Sequence, residues 1–171
     1  EIHERLVGSE MCIRDRREGR RGLDLIGVTV EMHNPIDLMI IMLGTNDCKT
    51  RYRASASVIA KGLDQVIRKA RQNASRHFDL LVISPIHLGV GVGDADFDPE
   101  FDAASVAVSR NLANEYRKIA LQNHAAFLNA SDFAAPSVTD REHMDEKGHA
   151  ALADAIYNKI LALQKGLSHV I

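Results

Sequence analysis

Two apolar runs constrain this chain more than anything else in it. Residues 38–43 read LMIIML, and residues 79–85 read DLLVISP. Six consecutive apolar residues leave no polar face, so the first run needs cover on both sides, as in a parallel sheet layered between helices. Between the runs, Ile59, Leu63, Val66, Ile67 and Ala70 recur at helical spacing. Strand, helix and strand in that order make a parallel pair joined by a crossover. The same logic continues down the chain. Val106, Leu112, Tyr116, Ile119 and Ala120 mark one face of a helix over residues 103–123, and AAFLNAS then reads as a third, shorter strand. A last helix, over residues 146–164, turns Leu152, Ile156, Ile160 and Leu163 inward, with Asp145 placed as its N-cap. Ahead of the first strand, Leu23, Ile26 and Val30, with Val28 beside them, mark a short helix that stops before Pro35. The alternation predicts a three-layer α/β fold with a doubly wound parallel sheet.

Length and composition narrow the function classes. The chain has 171 residues, enough for one domain, and is 46% hydrophobic and 26% charged. A net charge of −2 gives no reason to expect nucleic acid or a membrane surface as partner. The longest apolar run is far too short to span a bilayer. Cys12 and Cys48 form no disulfide framework, which fits a reducing cytoplasm. Residues 1–21 carry no hydrophobic period, and five of the eight residues 14–21 are Arg. The expectation there is a non-native or disordered N-terminal arm, with a single domain over residues 22–171.

In parallel sheets, ligands gather at the carboxyl ends of the strands. Three segments arrive there: GTND after the first strand, SPIH after the second and PSVTDREH after the third. Asn46 offers a side-chain N–H donor that could face a developing oxyanion, with Gly44, Thr45 and Asp47 lining the same turn. The plainer reading is that Asn46 and Asp47 only cap the turn. Asp140 and His143 stand three apart before the last helix. The carboxylate could hold one ring N–H and stabilise an imidazolium, or the two could form an exposed pair with no task. His149, inside the last helix, reads as a surface or packing residue.

Taken together, LMIIMLGTND and DREHMDEKGHAALADAI resemble blocks of the SGNH hydrolases, also called GDSL esterases and lipases, and most closely the arylesterase-like branch. GLDLIGVTVEMHNPIDL, the Ser84-Pro85 step and SRNLANEYRKIALQNHAAFLNASDF extend the similarity over residues 22–164. The resemblance implies a flavodoxin-like sheet and a serine esterase acting on a small-molecule ester, with no metal or organic cofactor. Carried over by position, His143 is the general base, Asp140 its orienting acid and Asn46 an oxyanion-hole donor. One departure stands beside them: the family usually has Gly after the Asp, where this chain has Arg141.

The resemblance also implies a Gly-Asp-Ser block that supplies the nucleophile, and no such block is present. Ser9 follows no apolar strand and leaves too little chain before Gly44, while Ser55 and Ser57 fall at a helix start with no elbow-like turn. Residues around 6–16 resemble translated sequencing adaptor. The expectation is therefore a chain lacking the family's first strands and its nucleophile, inactive as it stands, with residues 37–43 left as an apolar edge strand. An upstream export signal would be lost with them. The alternative is a non-catalytic α/β module that binds a small ligand or partner at the same surface. The sequence sets no oligomeric state.

The loop GVGVGDADFDPEFD offers two further motifs. Gly89, Gly91 and Gly93 are spaced like part of a phosphate loop, but no helix start and no Lys-Ser/Thr pair follows. Asp94, Asp96 and Asp98 alternate as calcium ligands do, but Pro99 and Ser105 occupy the places of the required Gly and Glu. A flexible acidic loop beside the sheet mouth, or a substrate lid, is the expectation.

Overall fold

A computed structural model of the protein describes residues 22–166. The N-terminal arm, with Ser9 and Cys12, lies outside these residues. The element order is α1 (Gly22–His33), β1 (Leu38–Ile41), α2 (Ala56–Asn73), β2 (Asp79–Ser84), α3 (Ala103–Gln122), β3 (Ala126–Asn129) and α4 (Glu146–Gln164). The strands form one parallel sheet in the order β1-β2-β3. Its register runs from Leu38 opposite Asp79 to Ile41 opposite Val82, and from Leu81 opposite Ala126 to Ser84 opposite Asn129.

Strand pleating divides the core into two. Leu80 and Val82 point to one face, where Val30 of α1, the α2 stripe Ile59, Leu63, Val66, Ile67 and Ala70, and α3 residues Leu112 and Tyr116 are buried with them. Leu81 and Ile83 point to the other face, against Leu128 and α4 residues Leu152 and Ala155. Helices α1, α2 and α3 thus cover one side of the sheet and α4 the other, giving three layers. The Asp145 side chain caps α4 by accepting from Gly148 N at 2.7 Å.

Three expectations need correction. Val28 is 59% exposed, because the inward stripe of α1 passes through Gly27 and Val30 instead. The first strand pairs over four residues only, and its burial on two faces fails: Ile40 and Met42 are each 42% exposed. Among the described residues no strand pairs with the far edge of β1, and α4, on the face to which Ile40 points, packs over β3 at the other edge of the sheet. The inner face of α4 is also less buried than its period suggests. Leu152 and Ala155 are buried, whereas Ile156, Ile160 and Leu163 are half-buried. A helix of 19 residues is about 28 Å long and β3, at four residues, about 13 Å, so α4 overruns the strand it covers.

Candidate active site

Parallel strands deliver their carboxyl ends to one rim, so the segments after β1, β2 and β3 meet there. The first turns at Gly44, which has φ of +125°. A Cβ on Gly44 would lie 2.2 Å from the Tyr116 hydroxyl, so glycine is required by both conformation and space. That hydroxyl, on a fully buried ring, donates to Leu43 O at 2.8 Å and holds the end of β1. A 3-10 turn, Asn46–Cys48, follows, with Asp47 N donating to Gly44 O and Cys48 N to Thr45 O. Thr45 and Asn46 are half-buried at the rim, and Asp47 is buried. The Cys48 thiol is pushed up to about 12, first by burial and then by the Asp47 charge, so it supplies no thiolate at neutral pH.

The third segment is a closed turn. Pro136 and Met144 form an antiparallel bridge, and within it Ser137 N donates to His143 O at 2.7 Å and Arg141 N to Ser137 O at 3.0 Å. Asp140 sits at its centre. Its Oδ1 accepts from Glu142 N and His143 N, each at 2.9 Å, and from the Ser137 hydroxyl at 3.1 Å. Its Oδ2 lies 2.7 Å from His143 Nδ1. Slight burial raises the Asp140 pKa, but these hydrogen bonds outweigh it and bring the carboxyl down to about 2. An ionised carboxylate only accepts, so in the neutral imidazole Nδ1 carries the proton and Nε2 keeps the lone pair. The ring is open to solvent, with 62% of the side chain exposed.

The second segment, residues 85–102, ties the other two together. At one end Thr50 N donates to Glu100 O at 2.8 Å, and the Lys49 ammonium lies 2.6 Å from Glu100 and 3.5 Å from Asp98. At the other end Gly89 N donates to Arg141 O at 2.8 Å. Val92 and Phe101 anchor it in the core. The loose acidic loop or lid expected from composition is instead packed and bonded at both ends. Asp94 and Asp98 face Arg141 and Lys49, and among the described residues no group of three His, Cys, Asp or Glu could hold a metal.

Asp140 and His143 are therefore in direct contact, and Asn46 stands on the same rim. Lys49, three residues past Asn46, and Glu142, one before His143, are close enough to bias each other's ionisation. Burial first, and then the Asp98 and Asp140 charges, raise the Glu142 pKa against the pull of His143 and Lys49. Ser137 and Glu142 escaped the sequence reading, although an Ser-x-x-Asp spacing ahead of the His was a usable signal for Ser137. The rim serines are engaged elsewhere: Ser84 is buried and donates to Asn129 at 2.9 Å, Ser131 accepts from His87 N, and Ser137 serves Asp140. Ser55 and Ser57 bond each other at the start of α2. Among the described residues, no serine hydroxyl bonds to the His143 ring. His149 is exposed.

The chain resembles several solved structures over most of its length. Est24, a carbohydrate acetylesterase from Sinorhizobium meliloti, is 26% identical, with 90% of this chain and 74% of that one covered and a TM-score of 0.78. The inhibitor-bound aryl esterase of M. smegmatis is 25% identical, with the same 90% and 74% coverage and a TM-score of 0.78. A further solved structure is 35% identical, covering 87% of this chain and 68% of that one, at a TM-score of 0.78. No curated protein matches the sequence. Residues 9–151 match the GDSL-like lipase/acylhydrolase family. With that match spanning the sheet and the Asp140–His143 turn, the chain belongs to the GDSL-like lipase/acylhydrolase family.

Proposed function

We propose that residues 22–166 supply the base, its orienting acid and one oxyanion donor of a serine esterase acting on small carboxylic esters, with the attacking serine contributed by chain outside them. The observation that carries this reading is the 2.7 Å contact between Asp140 Oδ2 and His143 Nδ1, which turns a basic Nε2 out of a solvent-open rim. In the first step the serine oxygen bonds to the ester carbonyl carbon while His143 Nε2 takes its proton. Asp140 stabilises the imidazolium that results. The carbonyl oxygen becomes an oxyanion, for which the Asn46 amide is a donor. Collapse of this adduct breaks the bond to the alcohol, which leaves with the proton from His143. Water, deprotonated by the same nitrogen, then releases the acid and restores the serine. The similarity to a carbohydrate acetylesterase favours short acyl groups.

The test compares two proteins, each with His143→Ala as control, on p-nitrophenyl acetate. The chain as it stands is expected to match its control within about twofold, since no described serine hydroxyl bonds to the His143 ring. The same chain preceded by a Gly-Asp-Ser strand from an aryl esterase relative is expected to gain a rate of at least about 100-fold that requires His143. A completed protein whose rate ignores His143 would end the esterase reading.

A further inference from the structure

The Arg141 side chain leaves the base turn and reaches the glycine-rich segment after β2. Its backbone has φ of +59°, a region that side chains other than glycine rarely occupy. Something must hold it there, and the contacts are specific. Arg141 Nη1 donates to Val90 O at 2.9 Å and to Asp94 Oδ2 at 3.0 Å. The guanidinium carbon lies 4.1 Å from the centre of the Phe97 ring. The backbone joins in, because Arg141 O accepts from Gly89 N at 2.8 Å. The glycine-rich stretch is shaped to receive it. A Cβ on Gly89 would lie 2.8 Å from Arg141 Cβ, and one on Gly91 would lie 2.1 Å from Arg141 Nη1. The spacing of Gly89 and Gly91, which suggests a phosphate loop in sequence, is thus the seat of an arginine.

We propose that Arg141 is a positioning residue that clamps residues 89–98 onto the Asp140–His143 turn, making that segment a fixed wall beside the ester-binding rim. The second half of the statement rests on the esterase reading above; the clamp does not. The arrangement separates two tasks. All of Asp140's hydrogen bonds come from residues 137–143, so the acid–base pair stands without the guanidinium. The wall does not: its exposed tip at Val90 is held from the side by Arg141 through the Val90 carbonyl. A wall held in place before the ligand arrives spares the ligand the cost of ordering it.

Amide hydrogen exchange on the chain as it stands tests the clamp. Glycine accepts the positive φ without strain, so Arg141→Gly removes the side chain and leaves the turn foldable. The amides of Val92, Asp94, Phe97 and Asp98, all hydrogen-bonded within the segment, are expected to exchange at least about tenfold faster, with β2 and α3 unchanged. Arg141→Lys is expected to recover part of the protection, since an ammonium reaches the same acceptors but cannot stack on Phe97. Unchanged exchange at these four amides in Arg141→Gly would overturn the clamp. The wall is tested by titrating phenyl acetate while following the Val90 and Phe97 amide resonances. The apparent Kd is expected to rise about fivefold in Arg141→Gly while the His143 ring resonances keep their positions. An unchanged Kd would overturn the wall. A wild-type chain that fails to bind phenyl acetate would remove the ester reading of this rim, and the exchange result would still decide the clamp.

Discussion

β1 and β2 are written in the same apolar alphabet, but among the described residues only β2 has a strand on each side. β2 pairs with β1 on one side and β3 on the other, and all its residues after Asp79 are buried. Among the described residues β1 pairs with β2 alone, and Ile40 and Met42 remain substantially exposed on the α4 side of the sheet, because α4 lies over β3 and not over β1. Hydropathy therefore states what a strand is able to bury. What it does bury depends on the elements laid beside it, and an apolar edge is where further pairing would occur.

The largest effect that could break this comparison is a matched pair of truncations. Leu81→Ala empties a fully buried site and is expected to cost about 3–5 kcal/mol, while Ile40→Ala on the edge strand costs under about 1 kcal/mol. Urea unfolding of both variants measures it, and equal losses would mean that β1 is as deeply packed as β2. Next is Gly44→Ala, which forces a side chain into φ of +125° and against the Tyr116 hydroxyl. A loss of about 2–3 kcal/mol is expected, with faster exchange in β1 than in β2 because the anchor at Leu43 O is the one disturbed. The smallest effect isolates what depends on neither strand. Asp140 is held down near 2, below the ordinary aspartate value of about 3.9, so its bonds contribute fully above about pH 4 and are lost as pH falls through 2. A small fall in Tm across that window is expected in the wild type and in Ile40→Ala alike. Asp140→Asn should lack it.

The parts legible in the sequence are those whose causes are local. The α2 stripe and the Asp145 cap involve residues within one or two turns of each other, so period and spacing reveal them. Asp140 and His143 were legible for the same reason, since three residues of chain and one turn set their contact. Tyr116 and Leu43 O meet across 73 positions, and Lys49 and Glu100 across 51, and no spacing rule reaches that far. The packed state of residues 89–100 was hidden for a related reason. Its acidic residues looked solvated because the cations that pair with them, Lys49, Arg51 and Arg141, come from the segments after β1 and β3.

The most direct measurement is the tautomer of His143, read from its ring nitrogen-15 shifts above pH 7 in the chain as it stands. Asp140 should hold the proton on Nδ1 in the wild type, leaving Nε2 as the basic nitrogen, and Asp140→Ala should release that preference. A wild-type ring that carries its proton on Nε2 would have no base to offer a serine, and the hydrolytic reading of this rim would fall with it.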